Sequence, residues 1–423
     1  MKVLVIGSGG REHALVWKLR QSPRVSRVYC APGNGGIAAE AQCVPADVKN
    51  VESLVRVAQQ IHPDLTVVGP ELPLTLGIVD EFTRCGWKIF GPTREAARLE
   101  SSKSFAKQFM QRHQIPTAHY AICKSIEEIR DALPHFHMPV VLKVDGLAAG
   151  KGVVICKNKD EALAVAGDML SGKMLGDAGL SVVIEECLQG EEISFLVLSD
   201  GERVAPLVAA QDYKRVGDGD TGPNTGGMGA YSTTSILDAQ MQNWLLQHIA
   251  RPAVAGMKQE GVEYRGVLYC GLMMTARGPM VLEFNCRFGD PETQPILMRM
   301  ESDLLEALEA AIEGRVSEGD FRWSNDATVC LVMASGGYPG TFEAGKKIMG
   351  LEEASKMDGI KIFHAGTSAR DNAYFTAGGR VLGVTARAPE LSTAVERAYA
   401  AASKIGFEGA HYRKDIAARA LKK

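Results

Sequence analysis

The run Glu283-Phe284-Asn285-Cys286-Arg287-Phe288-Gly289-Asp290-Pro291-Glu292 alternates polar and apolar side chains. Successive side chains of an extended strand point to opposite faces. Glu283, Asn285 and Arg287 therefore share one face of a strand end, and Phe284, Cys286 and Phe288 share the other. Two oxygen ligands beside a guanidinium make a place for a divalent cation and an anion. Magnesium suits it, because that ion takes few protein oxygens and completes its shell with water and nucleotide phosphates. The plain alternative is a Glu283–Arg287 ion pair on a sheet surface.

Three further stretches carry chemistry of the same kind. Lys143-Val144-Asp145-Gly146-Leu147-Ala148-Ala149-Gly150-Lys151-Gly152 resembles a phosphate-binding P-loop but lacks one spacer residue and has no Ser or Thr after Lys151. Its flanks are two strands rather than a strand and a helix. Small residues between strands suit a flap closing over phosphates, with Lys143 on the strand beneath; a solvated hairpin tip is the alternative. Glu185 to Ser194 joins two strands, where extended backbone can offer an N–H and a C=O to an adenine edge and a carboxylate can accept from ribose hydroxyls. An acidic solvated loop would look the same. The segment from Gln211-Asp212-Tyr213-Lys214-Arg215 to Gly229 is polar and glycine-rich, and 211–235 is expected as a loop too long to be a mere connection, as functional loops are. Gly217-Asp218-Gly219-Asp220 invites a calcium reading, but the acidic residue required at loop position 12 is absent. Backbone amides cradling anions, with Lys214 and Arg215 supplying charge, fit better.

At the N-terminus Gly7-Ser8-Gly9-Gly10 follows a first strand and opens a helix, a place where amides approach a phosphate. A dinucleotide fingerprint would continue to a third glycine, where Glu12 stands. It would also want an acid after the second strand, where Ala31-Pro32-Gly33-Asn34 stands. A small phosphate ligand remains reasonable beside a bare strand-to-helix turn; a dehydrogenase does not.

The elements that must position these residues follow from periodicity. From Met1 to about Gly91 strands (2–6, 27–31, 64–69 and the run KIFG) alternate with helices from Arg11, from Val51 and from Leu74, which predicts a parallel, Rossmann-like sheet. A polar helical run, SSKSFAKQFMQRH, marks a boundary. Beyond it lie a strand AHYAIC, a capping box at Ser125 and Glu128, the hairpin PVVLKV and GVVIC, and a helix start at Asn158 with Glu161. Strands SVVIEE and ISFLVLSDGERVAPLV turn at Ser199-Asp200-Gly201. One helix over 238–259, strands LYCGLMM and PMVLEFN, and a helix near 302–313 complete an α+β unit. From about Asp326 the pattern is strand-rich and ends in a helix.

Composition narrows the classes. With 423 residues, about two to four domains are expected. A net charge of −3 gives no global field for nucleic acid, and no run approaches the roughly 18 apolar residues of a membrane helix. Nine scattered cysteines with no CxxC pair read as buried thiols of a reducing, cytoplasmic compartment. The N-terminus has no secretory h-region.

The stretches GSGGREHA, APGN, VVGPELPL, KIFGPT, KVDGLAAGKGV, QDYKRVGDGDTGPNTGGMGAY, EFNCRFGDPETQP and GGYPG closely resemble the phosphoribosylamine-glycine ligase family of the ATP-grasp class, over nearly the whole chain. The resemblance implies an N-terminal α/β domain (1–101), a central ATP-grasp domain (102–320, flap about 116–190) and a small C-terminal domain (321–423). It implies ligation of glycine to 5-phosphoribosylamine with ATP consumed to ADP and phosphate, through glycyl phosphate. Lys103, Lys143 and the flap residues Gly150, Lys151 and Gly152 would meet ATP phosphates; Glu185, Glu186, Leu188 and Glu192 would hold the nucleoside. Glu283 and Asn285 would bind Mg2+ or Mn2+. Arg287, Lys143 and Asp212 would act in catalysis, Asp212, Lys214 and Arg287 orienting glycine and the phosphoribosyl group, with Gly9, Gly10, Asn34 and Glu71 on the sugar phosphate. Carboxylating or formylating ATP-grasp enzymes lack the 211–231 stretch, so it decides between them. No nucleic acid or membrane partner is implied.

Overall fold

The computed structural model describes residues 1–147, 152–172 and 181–422. Strands β1 (Lys2–Gly7), β2 (Arg27–Pro32), β3 (Gln42–Cys43), β4 (Leu65–Val68) and β5 (Ile89–Phe90) form a parallel sheet in the order β3-β2-β1-β4-β5. Val3 to Ile6 are fully buried, as a strand covered by helices on both faces requires. The strand order reverses between β1 and β4, and a crevice opens there at the carboxyl ends. The helix expected from Leu74 is two, Glu71–Thr75 and Ile78–Arg84, because Gly77 between them has φ +86°, which no α-helix accommodates.

After Ser102, whose hydroxyl accepts the Phe105 N–H and starts the helix Lys103–Arg112, the chain builds two antiparallel sheets facing each other across the site. The first contains β6 (Tyr120–Cys123), β7 (Val140–Val144), β8 (Val153–Cys156) and β9 (Val182–Glu186) in the order β6-β9-β7-β8. Helices Ile126–Ala132 and Lys159–Leu170 bury Ile129, Ala162 and Met169 against it, starting at Ser125 and Asn158 as the capping residues predict. Ahead in the chain lie β10 (Glu191–Asp200), β11 (Val204–Pro206), β12 (Gln211–Asp212), β13 (Arg215–Gly217), β14 (Thr221–Asn224), β15 (Gly229–Ser232), β16 (Arg265–Thr275) and β17 (Gly278–Asn285). The second sheet runs β11-β10-β16-β17.

The stretch 211–235 is not the expected loop. β13 and β14 make a hairpin, and β12 and β15 join a sheet ordered β12-β15-β18-β23-β20. Its other members come from the last quarter of the chain, which supplies β18 (Ala327–Ala334), β19 (Lys347–Ile348), β20 (Ile360–His364), β21 (Thr367–Arg370), β22 (Ala373–Thr376) and β23 (Arg380–Ala388). Glycine-rich sequence disguised the strand: a Cβ on Gly229 would lie 2.7 Å from the Cys330 carbonyl oxygen, so glycine is what lets β15 pair with β18. The single helix expected over 238–259 is interrupted by a wide π turn at Leu246–Ala250, next to Pro252, which has no N–H for the His248 carbonyl. Helix Leu304–Glu313 starts at Asp303, as expected. Among the described residues no helix is long and apolar enough to cross a membrane.

Candidate active site

Helix Lys103–Arg112, both antiparallel sheets, the β13–β14 hairpin and the crevice of the N-terminal sheet enclose a cavity of about 1010 Å³. Its floor is the strand-end face read from sequence. Phe284, Cys286 and Phe288 are buried, 2 %, 1 % and 2 % exposed, and their burial turns Glu283, Asn285 and Arg287 to the cavity.

On one side lie three lysines. Glu185, 2 % exposed, sits between Lys107 Nζ (2.8 Å) and Lys143 Nζ (2.9 Å), and Lys143 also donates to the Leu282 carbonyl at 3.1 Å. Lys107 gives a further bond to Thr117 Oγ1 at 2.7 Å. Burial pulls Lys107 down to about 8, against the opposing pull of Glu185. Glu185, expected at the nucleoside, is thus ion-paired with two lysines, through Oε2 to Lys107 and through Oε1 to Lys143. Lys103, also lowered by burial, donates to the Gly146 carbonyl at 2.7 Å at the root of the flap. Asp145 pins that root by accepting from Ser104 N (3.2 Å) and from the hydroxyls of Ser102 and Ser181, each at 3.3 Å.

Glu283 makes no side-chain hydrogen bond or salt bridge with the described residues. Burial pushes its carboxyl up, yet Lys214, Lys143, Lys103 and Arg287 together hold it below the usual range. An ionised oxygen donor with no hydrogen bond to the described residues, beside Asn285 Oδ1, fits a hard cation that also takes phosphate oxygens. No group of three His, Cys, Asp or Glu among the described residues is arranged to hold a metal. The sequence alternative, a Glu283–Arg287 ion pair, is not formed: Arg287 binds Glu71 (3.3 Å), Glu100 (3.0 Å) and Asn285 Oδ1 (3.1 Å).

Across the cavity Lys214 lies between Glu192, which it contacts directly, and Asp212 at 3.4 Å. Burial raises Asp212 to about 7, with Lys214 opposing and Glu292 and Glu192 reinforcing. Burial opposes the Lys214 charge, yet Asp212 and Glu192 hold its ammonium well above its ordinary value. Arg215, expected to supply charge to an anion, donates instead to the Gly222 carbonyl at 2.7 Å within its own hairpin. Glu186, Leu188 and Gly152 line the cavity, but the Glu186 carboxylate is engaged by Arg277 (2.8 Å) and the His119 N–H (3.1 Å). Gly150 and Lys151 lie outside the described residues.

The residues expected on the sugar phosphate divide. Glu71 lines the cavity. Gly9 and Gly10 sit at the crevice, where the Gly9 N–H is taken by Glu12 Oε2 at 2.5 Å. Asn34 uses its whole amide in the protein, donating to Ser8 and His364 carbonyls at 2.8 Å each and accepting from the Gly36 and Ile37 N–H groups. It thereby ties the N-terminal sheet to the β20 end. Sequence reasoning missed Glu100, Lys107, Asp145, Glu292 and Arg380. Asp145 and Glu292 stand in the runs 143–152 and 283–292, and Lys107 stands one helical turn after Lys103. Glu292 accepts from Tyr269 OH at 2.7 Å, and Arg380 pairs with Asp290 at 2.8 Å, partners far apart in the chain.

Comparison with known proteins places this geometry. Three family models match: the phosphoribosylglycinamide synthetase N domain over residues 1–100, the ATP-grasp (A) domain over 101–293 and the C domain over 328–419. The chain is 52 % identical to phosphoribosylamine–glycine ligase of Pseudomonas aeruginosa, over all of this chain and 98 % of that one. It is similar to the crystal structure of phosphoribosylamine–glycine ligase from Thermotoga maritima, at 33 % identity and a TM-score of 0.86, over 98 % of this chain and 100 % of that one. Biotin carboxylase of Campylobacter jejuni, at 16 % identity and a TM-score of 0.74 over 97 % of this chain and 92 % of that one, shares the fold alone.

Proposed function

This chain belongs to the phosphoribosylglycinamide synthetase family, and from that premise we propose how the residues of its cavity perform the family's reaction. The reaction joins glycine to 5-phosphoribosylamine, giving glycinamide ribonucleotide, ADP and phosphate in purine biosynthesis.

A glycine carboxylate oxygen attacks the γ-phosphorus of ATP, the bond to the bridging oxygen breaks, and ADP leaves. The amine of phosphoribosylamine then attacks the carbonyl carbon of glycyl phosphate and displaces phosphate. Such a sequence needs positioning and charge neutralisation rather than a protein nucleophile. The observation that carries this reading is the lining of the cavity, where Lys103, Lys143, Lys214 and Arg287 surround Glu283. Among the described lining residues there is no histidine, and burial raises the thiol of the one cysteine, Cys187, keeping it protonated.

Lys103 and Lys143 face the nucleotide phosphates, with Lys107 held beside them by Glu185. Glu186, Leu188 and Glu192 border the nucleoside. Glu283 and Asn285 would hold Mg2+ or Mn2+, which when bound neutralises charge on the β- and γ-phosphates. Arg287 orients the glycine carboxylate, and Asp212 and Lys214 border the acceptor. Glu71 and the crevice at Gly9 and Gly10 receive the sugar phosphate, with Asn34 fixing the loop behind it.

ADP release is the test. Incubation with magnesium-ATP, glycine and fresh phosphoribosylamine should release ADP only when all three are present. Equal release without glycine would sink the reading.

A further inference from the structure

We propose that Glu100 is a positioning residue for the ligation, holding Arg287, just past the end of β17, in its working geometry. The inference rests on the role given to Arg287 above.

Glu100 lies in the short helix Arg98–Ser101, immediately before the helix that carries Lys103 and Lys107. Its side chain is 7 % exposed, and each carboxylate oxygen has its own partner. Oε2 accepts the backbone N–H of Cys286 at 2.7 Å, and Oε1 faces Arg287 Nη2 at 3.0 Å. The first bond falls where β17 ends. The ladder with β16 stops at Asn285, so the buried Cys286 amide has passed beyond it, and Glu100 supplies its acceptor. That peptide lies between the candidate metal ligand Asn285 and the anion-holding Arg287.

The second bond orients the guanidinium. Arg287 Nε goes to Glu71 at 3.3 Å, and Nη2 goes to Glu100 and to Asn285 Oδ1 at 3.1 Å. Nη1 keeps one long bond, 3.4 Å to the Phe288 carbonyl, and is the least engaged edge for an incoming anion. An arginine fork presents a chosen edge only when its other nitrogens are fixed. Glu71 fixes one from the start of the helix Glu71–Thr75, and Glu100 fixes another from the short helix just before Lys103. Lys103 and Lys107, on the following helix, meet Gly146 and Glu185 at the nucleotide side. One segment of eight residues thus sets both ends of the cavity.

The test is a double-mutant cycle on the full chain, comparing Glu100→Gln, Arg287→Lys and the pair. Readouts are glycine-dependent ADP release, magnesium-ATP affinity by calorimetry, and circular dichroism. Glu100→Gln should lower kcat by about 10-fold or more while leaving the magnesium-ATP Kd within about 2-fold. In the Arg287→Lys background the same change should cost less than about 2-fold, because Glu100 acts through Arg287. A merely structural carboxylate would give losses that multiply, and full multiplication overturns the proposal. So does a wild-type kcat for Glu100→Gln when Arg287→Lys is impaired, a result that leaves the Arg287 reading intact. A fully active Arg287→Lys would overturn that reading and this inference with it. Should Glu100→Gln fail to fold, Glu100→Asp keeps the charge and shortens the reach; it should lose kcat similarly, and wild-type turnover overturns the positioning role.

Discussion

Replacing Glu185 by glutamine removes one negative charge from between two buried lysines while keeping size and shape. At about 3 Å and an effective dielectric constant of about 20, each Glu185–lysine contact is worth roughly 5 kcal/mol of Coulomb energy, most of it offset by desolvation. Removing one partner of a buried pair costs about 3–5 kcal/mol, because the remaining charge is stranded. Deprotonation limits that cost. Taking a lysine of ordinary pKa about 10.4 to its neutral form costs roughly 4.6 kcal/mol at pH 7 but only about 1.2 kcal/mol at pH 9.5. Lys107 already lies near 8, so the unfolded chain binds more protons between about 8 and 10.5, and stability rises with pH across that window. In the variant the rise should begin at lower pH. The expected gap between wild type and Glu185→Gln is therefore about 3–5 kcal/mol at pH 7, shrinking by roughly 1–2 kcal/mol at pH 9.5. Urea unfolding followed by circular dichroism at the two pH values measures it. Equal midpoints at pH 7, or a gap indifferent to pH, would refute the view that Glu185 serves to hold the lysines.

Glu283→Gln should reduce turnover by at least about 100-fold with the circular dichroism spectrum unchanged, since Glu283 bonds to no described protein donor; undiminished turnover removes it from the metal site. His364 is depressed to about 3 by burial first, then by His13 and Lys361. Its folded pKa lies below the unfolded value, so its contribution to stability is complete above about 6.5 and lost as pH falls. The loss should reach about 2 kcal/mol at pH 5, read from urea midpoints; a pH-independent midpoint from 7 to 5 would contradict the burial argument. Gly36→Ala places a Cβ 2.2 Å from the His364 ring, and should cost about 1–3 kcal/mol, seen as a lower Tm. An unchanged Tm would mean that the β20 end gives way freely.

Much of the site was legible because it rests on local periodicity. Alternation alone turned Glu283, Asn285 and Arg287 to one face, and the burial of Phe284, Cys286 and Phe288 is its cause. The parallel sheet, the hairpin beneath Lys143 and the helix starts at Ser125 and Asn158 follow from the same short-range rules. What failed was long-range. The two residues of β12 and Gly229 of β15 have no strand propensity of their own; β18, about a hundred residues on, pairs β15, and β15 in turn pairs β12. Arg287 looked like a free anion holder because Glu71 and Glu100 stand about two hundred residues away. Asn34, expected on the sugar phosphate, spends its amide on Ser8, Gly36, Ile37 and His364, a bond pattern that no spacing announces.

The most direct test of the account follows the oxygen of glycine. With glycine labelled by 18O in its carboxylate, turnover with magnesium-ATP and phosphoribosylamine should deliver one labelled oxygen per turnover into the released inorganic phosphate. Label would reach phosphate only if the glycine carboxylate, rather than a protein side chain or water, takes the γ-phosphoryl group. Unlabelled phosphate accompanying full formation of glycinamide ribonucleotide would contradict the account.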